Sequence, residues 1–317
     1  MAKADYIISL IKSHYDSEPE RFTTLALQIA AYEAKLGHII IANEIKNVVD
    51  KIKQDKNVNK SFNNDLHGLI FEKITFDNLS DLIVADSIKY KIKRIISEFI
   101  QSDKLHRNNL ENRRKIFLSG PPGTGKTLTA SIIAHELRLP LYTILMDKLV
   151  TKFMGETSAK LRQIFELIQK KQAVYLFDEF DAIGGERSRE NDVGEMRRVL
   201  NSFLQFIERD NSNSLIIAIT NNRKLVDQAL FRRFDDVILY NLPNKDEKLE
   251  LLKNRLARYS KFVNFKQLIP NINGLSHSEI TLACMDAIKE TVLNENQMMN
   301  NQLILNAIKD RNSAYHK

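Results

Sequence analysis

With 317 residues and a hydrophobic fraction of 43%, the chain can bury a real core and is long enough for two or three domains. No apolar run approaches the roughly 18 residues of a membrane span, and the opening MAKADYIISLIKSHYDSEPE lacks the apolar stretch and small-residue cleavage site of a secretory leader, so a soluble cytoplasmic protein with no membrane partner is expected. A single cysteine, Cys284, excludes an internal disulfide and reads as a small buried apolar side chain, while 47 Lys plus Arg against 40 Asp plus Glu, a net +7, permits nucleic-acid binding without selecting it.

Residues 1–53 read as three short helices, each with an apolar stripe at helical spacing. Ile7, Ile8, Leu10 and Ile11 mark the first. Pro19 opens the second, which carries Phe22, Leu25, Ile29 and Leu36 before Gly37 offers a left-handed cap. Ile41, Ile45, Val48, Val49 and Ile52 mark the third. Residues 54–71 begin with QDKNVNKSFNND, which loses apolar periodicity and reads as a solvated linker. From 72 to 243 the pattern changes to short β-rich runs, KIFLS, LYTILM, AVYLFD, LIIAIT and VILYNL, alternating with helical segments. Parallel strands need crossover helices, so the expected class is α/β with a parallel sheet. Residues 244–317 carry no strand runs, and amphipathic helices over 245–258 and 278–293 predict a closing helical domain.

GPPGTGKT, Gly120 to Thr127, fits G-x-x-x-x-G-K-[ST] and lies between a strand and a helix, as that motif requires. Its glycines let the chain curl so that the amides of Gly123, Gly125, Lys126 and Thr127 face a phosphate at a helix start. Lys126 is placed to reach the β and γ phosphates of ATP, and Thr127 to offer its hydroxyl to Mg²⁺. The nucleotide-binding set is therefore Gly120, Pro121, Pro122, Gly123, Thr124, Gly125, Lys126, Thr127 and Leu128. VYLFDEFD is an apolar strand ending in three carboxylates, at the strand edge where parallel sheets hold ligands. Asp178 is suited to hold the magnesium and Glu179 to polarise the attacking water. LIIAITNN ends a further strand in polar side chains, and Asn221 is assigned to the γ-phosphate or the water.

GPPGTGKT, LFDEFDAIGGER, ITNN and DQALFRRFD, in that order, resemble AAA ATPases over residues 72–317. The resemblance implies a P-loop α/β nucleotide-binding domain with a C-terminal helical lid, preceded here by the small N-terminal helical domain. It also implies assembly as a homo-oligomeric ring, usually a hexamer. On it, Arg232 and Arg233 match arginine fingers that reach the γ-phosphate of the next subunit. Phe153 in KFMGE matches the pore-loop aromatic that grips a threaded polypeptide; by itself, Phe153 with Met154 reads as an apolar plug on a loop. The segment GEMRRVLNSFLQFIE follows the second pore loop and satisfies plain core packing through Val199, Phe203 and Ile207. Two departures stand out. In GLSHSEI, His277 and Ser278 occupy the places where many members set a Gly-Ala pair against the adenine, and Asp81 stands where a glycine is frequent.

HELRL is one histidine short of H-E-x-x-H, so no metalloprotease is built in, and SAYHK lacks the penultimate tyrosine of proteasome-docking members. The leading expectation is an Mg-ATP-driven remodeller that pulls a protein substrate through a ring, with residues 1–53 choosing substrate or adaptor. A nucleic-acid motor or loader and a nucleotide-gated switch stay open. The layout is also similar to the ATPase half of bacterial two-gene phage-defence systems that pair it with a subtilisin-like protease.

Overall fold

The computed structural model describes residues 8–10, 12–13, 19–47, 49, 66, 68–152, 155–184, 190–222, 231–294 and 298–315. They fall into two compact units, Met1–His67 and Gly68–Lys317.

In the first unit, Pro19 opens α1 (Pro19–Lys35) at a position where its missing N–H has no intrahelical role. Gly37 turns the chain at a φ of 84°, and a second helical stretch spans 39–47. The large apolar stripe of α1, Phe22, Leu25 and Ile29, is half-buried. Ala26, Ala30 and Glu33 are buried, whereas Leu36 and Ile41 are exposed alongside Ile39 and Ile40. Glu33 tolerates burial because its carboxylate pairs with His38 Nδ1 at 2.7 Å.

The second unit is built on a six-stranded sheet in the order β1-β3-β4-β5-β2-β6. The strands are β1 (Ile70–Lys73), β2 (Lys115–Ser119), β3 (Leu141–Leu145), β4 (Val174–Asp178), β5 (Leu215–Thr220) and β6 (Asp236–Leu239). All neighbours are parallel except β1, which runs antiparallel along β3. Every residue of β5 is buried, as a central strand covered on both faces requires. The crossovers include α2 (Asp86–Ile100), α3 (Lys126–Leu137), α4 (Thr157–Lys170) and α5 (Glu190–Arg209). Val199, Phe203 and Ile207 of α5 are buried, and Phe203 meets Phe177 edge-on at 5.0 Å. This is the plain packing role expected of that segment.

Three features differ from the sequence-based expectation. Ile70 and Phe71, read as linker, open β1, whose residues are mostly exposed and are held by backbone pairing to β3. Met146 leaves the sheet and starts the short helix Met146–Lys152. In the lid, α6 (Lys245–Arg255) and α7 (His277–Leu293) are joined by α8 (Asn301–Tyr315), which was not anticipated. Asn244 caps α6, its side chain accepting from Asp246 and Glu247 amides at 2.9 Å, and Ser276 caps α7 in the same way through Glu279.

Among the described residues, one core lies between the sheet, α2 and α3, and another lies inside the lid. The extended segment before α2 belongs to both: Leu82 and Val84 enter the sheet core and Ile83 the lid core. Alternate residues of an extended chain point opposite ways, so three consecutive apolar residues tie the lid to the sheet. Cys284 lies fully buried in the lid core, where burial pushes its thiol up to about 12, in keeping with an inert apolar role.

Candidate active site

β2 ends at Ser119 and α3 begins at Lys126, and the loop between them is shaped by what its glycines touch. Gly120, at a φ of 156°, lies so close to the Tyr240 backbone that a β-carbon would collide with its carbonyl oxygen. Tyr240 is itself fixed, its N–H donating to Ser119 O at 2.7 Å and its buried hydroxyl lying 2.6 Å from Thr129 Oγ1. Gly123, at a φ of 72°, faces the lid: a methyl group there would stand 2.5 Å from Ser276 Oγ. The Ser278 N–H donates to Gly123 O at 3.0 Å, so the start of α7 is hydrogen-bonded directly to the loop.

Lys126 is 5% exposed, and its Nζ donates to Gly120 O and Pro121 O at 2.8 Å each. Burial pushes its pKa down to about 8, against the pull of Asp178 and Asp181. An ammonium held by carbonyl dipoles in a dry loop is stabilised by any anion brought to it, and the amino end of α3 favours the same charge.

β4 ends in Asp178, whose Oδ2 lies 3.4 Å from Thr127 Oγ1 and whose Oδ1 accepts the Glu179 N–H at 2.9 Å. Glu179 sits in the left-handed region at a φ of 55°, which costs a side-chain-bearing residue roughly 1–2 kcal/mol. Its neighbours enforce that turn. The Phe180 N–H donates to Ile219 O at 2.9 Å, and the Phe180 ring is wedged edge-on against Phe117 and Phe203 at 5.9 and 4.8 Å. Burial raises the Glu179 pKa, and Asp147, Asp178 and Asp181 raise it further. Just past β5, the Asn221 backbone N–H donates to Asp181 Oδ1 at 3.3 Å. Among the described residues no three His, Cys, Asp or Glu converge on a metal position. The Thr127 hydroxyl and Asp178 carboxylate instead form a two-oxygen set that fits a hard cation completing its shell with phosphate and water.

These groups line one cavity of about 510 Å³, closed from the lid and from the segment before α2 by Leu82, Ile83, Leu251, Arg255 and His277. His277 is 9% exposed and neither ring nitrogen makes a hydrogen bond. Burial pushes its pKa down to about 4, although the backbone of Ile83 favours the protonated ring. The unfolded ring binds its proton near 6.5, so between those values the unfolded chain holds more protons and stability is lost as pH falls. His277→Gln should flatten the fall in melting temperature between about pH 6.5 and 5, above the range where most carboxylates titrate. Melting curves recorded across that window, unchanged by the substitution, would disprove the assignment.

Residues 116–242 match the family model described as ATPase family associated with various cellular activities (AAA). An uncharacterized AAA family ATPase, y4kL, of Sinorhizobium fredii is 29% identical over 320 residues, which are 98% of this chain and 96% of that protein. The chain is an AAA family ATPase. A proteasome-activating nucleotidase of Methanoregula boonei is 32% identical over 208 residues, 63% of this chain and 48% of that one. The ATP-dependent zinc metalloprotease FtsH of Mycoplasma mobile is 32% identical over 241 residues, 73% of this chain and 32% of its own. The chain thus spans half or less of these last two relatives.

In this AAA ATPase, Pro122, Gly123, Thr124, Gly125, Lys126, Thr127, Leu128, Asp178, Glu179, Asn221, His277 and Ser278 all face the one cavity. Gly120 and Pro121 stand behind it and supply the carbonyls that hold Lys126. Arg232 and Arg233 do not line it. They are exposed in the turn before β6, which is pinned beneath the sheet by Phe231 and Phe234 against Phe117 at 6.4 and 5.0 Å. Phe153 lies outside the described residues. Sequence reasoning missed Arg255, Ile83 and Asp147; only the Leu-Ile-Val alternation at 82–84 carried a signal. His135 of HELRL is engaged elsewhere, its Nδ1 lying 3.1 Å from Thr75 O. No helix among the described residues is long and apolar enough to cross a membrane.

Proposed function

We propose that this ATPase works as a ring, hydrolysing Mg-ATP to pull on a protein substrate. The observation that carries the chemical half is the convergence of Lys126, the Thr127–Asp178 pair and Glu179 on one cavity. Lys126 and the loop amides bind the β and γ phosphates. Thr127 and Asp178 hold Mg²⁺, which supplies positive charge to the phosphates. Glu179 orients the attacking water and draws its proton, Asn221 fixes the water or the γ-phosphate, and Ser278 with His277 faces the base. Arg232 and Arg233 act on the nucleotide of the neighbouring subunit.

The mechanical half rests on relatives named as proteasome-activating nucleotidases and as FtsH, with Phe153 as the gripping residue and a hexamer as the assembly. The exposed Leu36, Ile39, Ile40 and Ile41 suit an N-terminal unit that meets a substrate or adaptor. His135 lacks a second histidine one turn on, so these 317 residues carry no H-E-x-x-H zinc motif of their own. Phe153→Ala should keep its melting temperature, its oligomer and most of its basal ATPase, yet lose unfolding of a protein substrate and the stimulation of turnover by unfolded polypeptide. Stimulation by single- or double-stranded nucleic acid, with none by polypeptide, would replace this reading by that of a nucleic-acid motor.

A further inference from the structure

Asp236 opens β6 directly after the arginine turn, and its side chain is only 9% exposed. Among the described residues, three cations gather on that one carboxylate. Lys91 Nζ donates to its Oδ1 and Arg94 Nη2 to its Oδ2, each at 2.8 Å, and Arg113 Nε lies 3.9 Å from Oδ2. Lys91 also donates to Val237 O at 2.9 Å, and Glu98 accepts the Arg113 backbone N–H at 3.0 Å, so α2 is fastened both to β6 and to the approach to β2. Taking a carboxylate out of water costs about as much as its ion pairs return, so the cluster contributes little net stability. What it fixes is the register of α2 along β6.

The other end of α2 belongs to the nucleotide cavity. Leu82 and Ile83, just before the helix, line that cavity, and a β-carbon on Gly125 would meet Leu82 Cδ1 at 3.4 Å. Ile88, Ile92 and Ile95 are buried in the sheet core, which holds the helix along its length. From Asp86 to Arg94 it rises roughly 12 Å. One helix thus runs from the chain's own nucleotide to the strand that carries the arginine turn.

We propose that Asp236 is a positioning residue for hydrolysis on the neighbouring subunit: with Lys91 and Arg94 it sets the place of the arginine turn against α2, and so against the chain's own nucleotide cavity. The inference rests on the ring reading, in which Arg232 and Arg233 act on the next subunit's nucleotide. Asp236 does not line the cavity, so its loss should leave binding alone and be read in the neighbour.

Asp236→Asn keeps the shape of the side chain and removes its charge. On the full chain, affinity for a non-hydrolysable ATP analogue should be unchanged by calorimetry, while kcat falls by up to about 100-fold, the effect of an ångström-scale misplacement. Mixed with Glu179→Gln subunits, the variant should regain turnover, because an Asp236→Asn subunit keeps its own Glu179 and receives correctly held arginines from its neighbour. A damaged fold, or damage to the subunit's own site, would not be rescued in this way. If Asp236→Asn fails to fold, Arg94→Gln, which leaves Lys91 on the carboxylate, should show the same pattern. A wild-type kcat, weakened analogue binding, or a slow variant that mixing does not rescue would overturn the inference alone, where Arg233→Ala is slow and is rescued in the same mixture. Arginine variants that turn over at the wild-type rate, or stay slow in the mixture, would overturn the ring reading itself.

Discussion

Glu179→Gln should bind Mg-ATP as tightly as the wild type and hold it unhydrolysed, with turnover lowered by roughly 10² to 10⁴, the contribution of a positioned general base. The substitution keeps the shape of the side chain and the left-handed backbone at a φ of 55°, so the strand exit and the Phe180 wedge should survive. What disappears is a carboxylate whose proton affinity is raised by burial and by the neighbouring Asp147, Asp178 and Asp181. Lys126→Ala should fail one step earlier, because the anion loses its buried partner and nucleotide no longer binds. Single-turnover assays with radiolabelled ATP separate the two variants. A Gln variant that turned over at the wild-type rate would remove Glu179 from the chemistry and return the question to its acidic neighbours.

The parallel strands were legible because a strand covered on both faces must be apolar through its middle, and KIFLS, VYLFD and LIIAIT are, with polar residues only at their ends. β1 was not legible, since IFEK is mostly exposed and is a strand only because β3 offers its edge. In the first unit the apolar stripes were legible in part: Phe22, Leu25 and Ile29 are half-buried and Val49 is buried, while Leu36 and Ile41 are exposed and the small Ala26 and Ala30 are buried. At the site, the phosphate loop could be read directly because its backbone conformation demands glycine at Gly120 and Gly123. Arg255 and Ile83 could not. They reach the cavity because Ile83 enters the lid core and α6 packs there too, a tertiary arrangement that leaves no local pattern. The Asp147 carboxylate beside Glu179 was hidden likewise, being delivered by a helix that follows a different strand.

The arginine variants test whether one chain holds a complete site. β6 runs parallel to β2 with Asp236 opposite Ile116, and the arginine turn precedes Asp236 while the phosphate loop follows Ser119. Four residues of strand at about 3.3 Å each put roughly 13 Å between those levels, along the sheet and towards its opposite edge. The turn cannot simply swing across. Besides the two phenylalanine anchors, Asp235 Oδ2 accepts the Arg114 and Lys115 amides at 2.8 Å, stapling it to the start of β2. Arg233 is paired with Glu208 on the surface, and since both side chains are largely exposed, releasing it costs little. The guanidinium groups are thus exposed on a turn whose backbone is anchored, as a neighbouring subunit would need. Arg232→Ala or Arg233→Ala should bind ATP normally and hydrolyse it more slowly, by up to the 10³ to 10⁵ that such groups contribute in related phosphoryl transfer. Mixing either variant with Glu179→Gln subunits should restore part of the activity, because an arginine-deficient subunit keeps its own Glu179 and receives an intact finger from its neighbour. Specific activity of the wild type should fall on dilution as subunits part. Activity that held constant far below the assembly range, or mixtures no faster than their parents, would mean that the site is completed within one chain.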